Sequence, residues 1–173
     1  MAEEMDDLLK YYRDQSNKNL WEISFDSKTL VVFLRHTGCV FCREALSDIS
    51  KLLKNGQLKD FNIVLVHMSH DPDARSLFTK YDLGSVSRIA DRDQKLYRAF
   101  GLKRGNIIQL FGPKNWVRGL SAIFTGYFQA KVDGDGYQMP GIFIIYRGEI
   151  IRSFIHKSAS DRPDYKEFAS CKI

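Results

Sequence analysis

At 173 residues and 20.0 kDa the chain has the size of one domain, long enough to bury a core without disulfide staples. Hydrophobic residues make up 44% and aromatics 13%, which excludes a disordered or low-complexity chain. Net charge is +5, but the basic residues are spread, with Lys95, Arg98, Lys103, Arg104, Lys114 and Arg118 the densest group. A solvated surface, and no nucleic-acid partner, is therefore expected. The start, Met1 to Asp7, is acidic where a secretory signal is basic, and the longest apolar runs are far too short to span a bilayer. A soluble, cytoplasmic protein without a membrane partner is expected.

In chain order, residues 4–13 read as a first helix with Leu8, Leu9, Tyr11 and Tyr12 on its apolar side, and Asn19 to Phe25 as a short edge strand. Leu30 to Leu34 is an unbroken apolar run, the pattern of a strand buried on both faces. Thr37-Gly38 ends it. A helix is predicted over 40–54, placing Cys42, Ala45, Leu46, Ile49, Leu52 and Leu53 on one face and charged residues on the other, with Asn55-Gly56 as the stop. Phe61 to Met68 reads as the next buried strand, parallel to the first in a βαβ unit. Asp71-Pro72 opens a further helix with Asp71 as its cap. A weak strand over 87–90, a short helix over 93–100, and a helix over 113–124 after Gly112-Pro113 follow. Asp133 to Gly136 is a turn. Met139 to Tyr146, Arg147-Gly148 and Glu149 to His156 form a β-hairpin. A last helix is predicted over 164–169, with Cys171 in the tail. The order implies an α/β fold, a mixed central sheet flanked by helices on both faces. The whole chain, 1–173, is one domain with 1–20 as an N-terminal extension and 158–173 as a C-terminal tail.

Two of the three cysteines, Cys39 and Cys42, lie three positions apart where the first strand gives way to the helix. In a reducing compartment such a pair is catalytic or metal-binding before it is structural. Cys39 sits at the helix mouth with Arg35, His36 and Arg43 close in sequence, and both features lower a thiol pKa. It reads as the exposed, attacking thiol. Cys42, one turn on and on the apolar face, reads as the buried resolving thiol. The chemistry is thiol–disulfide exchange, or attack on a peroxide followed by condensation of the sulfenic acid with the second thiol. Zinc, with His67 and His70 as further ligands, fits less well because the pair joins a buried strand to a long helix. No metal and no cofactor is expected. Pro140 is placed by topology at the same sheet edge as Cys39.

Three segments resemble a known group: VVFLRHTGCVFCRE from Val31 to Glu44, RIADRDQKLYRAFGLKRGNIIQLFGPKNWVRG from Arg88 to Gly119, and PGIFIIYRGEIIR from Pro140 to Arg152. The first and third resemble thioredoxin-fold proteins in general, and the middle one resembles the peroxiredoxin-like branch of the AhpC/TSA superfamily. The resemblance implies a thioredoxin fold, a redox-active Cys39–Cys42 pair, a cis Pro140 clamping the substrate backbone, and a peroxide or disulfide substrate. Some eukaryotic members of this group reduce prostaglandin-type endoperoxides, so that class is included. A thiol reductant such as thioredoxin or glutathione is the implied partner, and a homodimer is a candidate assembly. The chain departs from the P-x-x-x-T/S-x-x-C pattern of peroxiredoxins: Thr37 is two residues before Cys39, not three, and no proline lies upstream. Pro140 stands where their catalytic arginine precedes the last strands, which leaves Arg35 as its substitute. The expected site is thus Cys39, Cys42, Arg35, Thr37 and Pro140. The alternative reading is a non-catalytic redox sensor or binding module that docks a partner through segment 103–119 and Trp116.

Overall fold

The computed structural model describes residues 2–112 and 134–170. The helix expected over 113–124, Trp116 and Cys171 lie outside the described residues. Among those described, five strands form one sheet in the order β3-β2-β1-β4-β5: β1 (Thr29–Phe33), β2 (Asn62–His67), β3 (Ser87–Ala90), β4 (Gly141–Tyr146) and β5 (Glu149–Ile155). The strands β1, β2 and β3 are parallel, and β4 and β5 are added antiparallel.

β1 is the centre of this sheet because every one of its residues is buried. Side chains alternate across a strand. Accordingly Leu30, Val32 and Leu34 enter one core, with Cys39, Cys42, Leu46 and Ile49, whereas Val31 and Phe33 enter the other, with Leu9, Leu20, Tyr97 and Phe143. Helix α3 (Val40–Lys54) covers the first face and follows the predicted bounds. Its end is set by Asn55 and by Gly56, whose φ of +69° is open to glycine at little cost. Helices α1 (Ala2–Tyr11), α2 (Leu20–Phe25) and α5 (Lys95–Ala99) cover the opposite face. Tyr12 and Leu9 thus belong to the core, and the Tyr12 hydroxyl donates to Asp91 at 2.7 Å.

The segment Asn19 to Phe25 is not an edge strand. Asn19 Oδ1 accepts from the Glu22 N–H at 2.8 Å and Glu22 Oε2 accepts from the Asn19 N–H at 2.9 Å, a reciprocal cap that starts α2. Helix α4 (Asp71–Lys80) is capped by the backbone of His70, not by Asp71, whose carboxylate instead accepts two bonds from Arg88 at 2.7 and 3.1 Å. The structure adds a five-residue helix, α6 (Ile107–Phe111), in which Asn106 and Gln109 carry the same reciprocal cap.

The hairpin β4–β5 turns at Arg147 and Gly148, both with positive φ, as a two-residue turn of the twisted type requires. Helix α7 (Tyr165–Ala169), capped by Asp164, seats Tyr165 and Phe168 against the α3 side of the core. Among the described residues no helix is long and apolar enough to cross a membrane.

Candidate active site at the end of the central strand

β1 ends at Phe33, opposite Gly141 at the start of β4, so the chain leaving β1 and the chain entering β4 meet at one sheet edge. Arg35, Thr37, Cys39, Cys42 and Pro140 gather there. Cys39 is the N-cap of α3 and its side chain caps nothing, which leaves the sulfur free to accept. The Phe41 and Cys42 backbones, in the first turn of α3, favour negative charge on it.

Arg35 is 7% exposed and threads between the two chain segments. Its Nη1 donates to Cys39 Sγ at 3.5 Å, its Nε to the Gln138 carbonyl at 3.3 Å and its Nη2 to the Gly136 carbonyl at 2.5 Å. The charge is held in place by carbonyls more than 100 residues away, which fixes it against the sulfur. Arg35 contributes its backbone as well: its N–H donates to Cys42 Sγ at 3.2 Å.

The two thiols are perturbed in opposite directions. Cys39 is lowered, first by the hydrogen bond from the Cys42 thiol and then by the Arg35 guanidinium, against the opposing effect of burial. Cys42 is raised well above the ordinary range because it keeps the proton it donates to Cys39 and is itself buried. The two shifts favour a thiolate on Cys39 over one on Cys42. Both sulfurs are free thiols.

Two expectations are corrected here. Cys39 is 3% exposed, as buried as Cys42 at 4%, because the turn through Thr37 and Gly38 folds it back onto the core rather than out to solvent. The Met139–Pro140 peptide is trans, since no described peptide bond is cis. Pro140 still reaches the site. It lines a cavity of about 30 Å³ together with Arg35, Phe41, Cys42, Ile142 and His156, space of the order of one or two waters. Thr37 enters through its carbonyl, which accepts from Arg43 Nη2 at 3.3 Å.

Several residues at the site carry no signal in the sequence. Gly136 and Gln138 act through backbone carbonyls, which no side-chain pattern marks. His156 closes β5 and lines the cavity, and its Nδ1 is buried with no hydrogen-bond partner. Burial lowers its pKa to about 4 against the opposing pull of the Asp161 carboxylate, with Arg35 a smaller push downward, so it is neutral near pH 7. His36, next to Arg35, is likewise lowered to about 4 by burial and by that guanidinium. Among the described residues no group of three or more His, Cys, Asp or Glu is arranged to hold a metal ion. His67 Nδ1 lies 3.1 Å from the Ser69 carbonyl, with its ring edge-on to Phe78.

Comparison with known proteins gives this geometry a context. The chain is 28% identical over 155 residues to a prostamide/prostaglandin F synthase of Danio rerio, covering 86% of this chain and 74% of that protein. It is equally 28% identical over 161 residues to peroxiredoxin-like 2C of Bos taurus, covering 86% and 68%. The structure of the Xanthomonas campestris bacterioferritin comigratory protein superposes with a TM-score of 0.61 at 13% identity, covering 87% of this chain and 83% of that one. That likeness establishes a thioredoxin-like α/β fold of the kind seen in peroxiredoxins. The sequence model of the family described as AhpC/TSA antioxidant enzyme matches residues 45–158, starting three residues after Cys42. This match takes in most of the sheet and well over half of the chain, and the chain belongs to the AhpC/TSA antioxidant enzyme family.

Proposed function

We propose that this protein is a thiol-dependent oxidoreductase that reduces peroxides or disulfides through Cys39 and Cys42. The observation that carries the reading is the asymmetry of the pair. One sulfur is stabilised as a thiolate by a fixed guanidinium and a neighbouring thiol, and the second waits protonated within hydrogen-bonding reach.

With a peroxide, the Cys39 thiolate attacks one oxygen, the S–O bond forms as the O–O bond breaks, and the alcohol or water leaves after taking up a proton. Arg35 is placed to stabilise the departing oxygen charge. Cys42 then attacks the sulfenic sulfur, loses its proton and expels water, closing a Cys39–Cys42 disulfide. With a disulfide, Cys39 forms a mixed disulfide and releases one thiol, and Cys42 displaces the second. Either route oxidises the pair by two electrons, and an external dithiol such as thioredoxin, or two glutathiones, restores it. Pro140 forms the wall beside the pair and limits what can approach Cys42. The protein acts in the cytoplasm, where such reductants are available, and a homodimer is its proposed assembly.

A second reading, a redox sensor or binding module without turnover, is favoured by the burial of both sulfurs. One experiment separates them. Reduced protein is mixed with hydrogen peroxide, a lipid hydroperoxide and a model disulfide, and the products are mapped by mass spectrometry. The enzyme reading expects substrate-dependent formation of the Cys39–Cys42 disulfide, abolished in a folded Cys39→Ser variant. Absence of any substrate-dependent oxidation of the pair in the wild-type chain sinks it.

A further inference from the structure

Tyr97 is the largest fully buried side chain of the described residues, and it lies on α5, across the sheet from α3. Its hydroxyl donates to the Leu34 carbonyl at 2.5 Å and reaches the Val66 carbonyl at 3.2 Å. Val66 also accepts from the Leu34 N–H at 2.9 Å. One phenol therefore clasps the ends of β1 and β2, where the chain departs into the cysteine turn. Tyr97 is held in turn: its backbone N–H donates to Asp91 Oδ2 at 3.0 Å, and Phe33 packs edge-on to its ring at 4.9 Å between centroids.

The Leu34 carbonyl that accepts from Tyr97 belongs to the same peptide unit as the Arg35 N–H, which donates to Cys42 Sγ at 3.2 Å. A hydrogen bond to a peptide oxygen polarises the unit and strengthens its N–H as a donor, typically by about 10–30% per bond. It also fixes the peptide plane, and hence the direction in which that N–H points.

We propose that Tyr97 is a positioning residue for the resolving thiol: through the Leu34–Arg35 peptide it aims and strengthens the amide that stabilises Cys42 as it becomes an attacking thiolate. This rests on the reading of Cys42 as the resolving thiol. In the resolving step Cys42 gives up its proton, its sulfur bonds to the Cys39 sulfur, and water or a thiol leaves; the Arg35 amide steadies the negative sulfur in between. Tyr97 touches neither the sulfur nor the substrate. It acts from the opposite face of the sheet, where the cysteine motif gives no hint of it.

The test uses the full chain with Tyr97→Phe, which removes only the hydroxyl, and with 3-fluorotyrosine placed at 97, which makes the hydroxyl a stronger donor. In the reduced state the Arg35 amide proton resonance is expected to move upfield in Tyr97→Phe and downfield with fluorotyrosine. In single turnover Tyr97→Phe is expected to slow disulfide closure about twofold to tenfold, the range of one lost hydrogen bond, with the first oxidation of Cys39 unchanged. The pH profile of closure should move upward. A folded Tyr97→Phe protein whose Arg35 amide resonance and closure profile coincide with wild type overturns the proposal. Should Tyr97→Phe fail to fold, the fluorotyrosine protein decides by itself, and an unmoved Arg35 resonance there overturns it. If the wild-type pair never closes, the redox reading fails on its own account, whereas the amide resonances still decide the role of Tyr97.

Discussion

Arg35 binds Cys39 with one nitrogen and the carbonyls of Gly136 and Gln138 with the other two, so the cation at the thiol is anchored by the loop that leads into Pro140. Assembly of the sheet is consequently what sets the cation against this sulfur. In the unfolded chain Arg35 is a mobile, hydrated charge, and only when β4 pairs with β1 do two carbonyls restrict it to one position.

Replacing Arg35 with Met should raise the Cys39 pKa and slow alkylation by iodoacetamide at pH 7 about tenfold, as expected when a thiolate loses one adjacent cation. Arg35→Lys should recover only part of this, because an ammonium cannot span two carbonyls and a sulfur in one plane. Thiolate absorbance at 240 nm against pH checks both. Equal thiolate titrations in wild type and Arg35→Met would refute the role given to the guanidinium.

The hydrogen bond from Cys42 ranks above Arg35 among the groups that hold Cys39 as a thiolate. Cys42→Ala should therefore raise the Cys39 pKa more than Arg35→Met does, with Cys42→Ser intermediate because its hydroxyl can still donate. Titrating the three variants side by side tests the ordering.

His36 and His156 are both held neutral to about pH 4, chiefly by burial and with a contribution from the Arg35 cation, for His156 against the opposing Asp161 carboxylate. A histidine with a depressed folded pKa contributes stability that is complete above its unfolded value, about 6.5, and is lost as pH falls through the folded value. Stability should thus fall between about pH 6.5 and 4, by up to about 1.4 kcal/mol per pH unit for each histidine. Urea melts in a Cys39→Ser, Cys42→Ser background, which removes thiol titration, should show this slope. His156→Asn should roughly halve it. Asp71, held down by Arg88, adds its own loss only below the usual carboxylate range.

Asn19→Ala removes the side chain that caps α2 and leaves the Glu22 N–H without its acceptor. The expected cost is about 1 kcal/mol, read as a lower urea midpoint with unchanged slope. A midpoint equal to wild type would show that the cap is dispensable.

Much of this molecule is legible in the sequence where a residue's role follows from its neighbours along the chain. Unbroken apolar runs locate β1, β2 and β4, the 3.6-residue period locates α3, and the cysteine spacing picks out the candidate site, since strand pleat, helix pitch and thiol reach are local properties. Asn19 to Phe25 resembles a strand because its alternating apolar residues suit one, whereas the deciding signal is the Asn19–Glu22 cap, a pattern of two polar residues. The burial of Cys39 and the trans Met139–Pro140 bond are not legible either. Each depends on how the turn after β1 and the loop before β4 pack on one another.

What the sequence by itself determined, then, is that an apolar strand delivers two cysteines to the start of an amphipathic helix, an arrangement that favours a thiolate through backbone amides alone. Only the tertiary structure decided the surroundings of the two sulfurs. It brought the Gly136 and Gln138 carbonyls to Arg35, sealed Cys39 from solvent, set His156 beside Cys42, and placed the Tyr97 hydroxyl on the Leu34 carbonyl behind them. These contacts join residues far apart in the chain, and their strength comes from fixed orientation in a dry interior, which exists only once both faces of the sheet are covered.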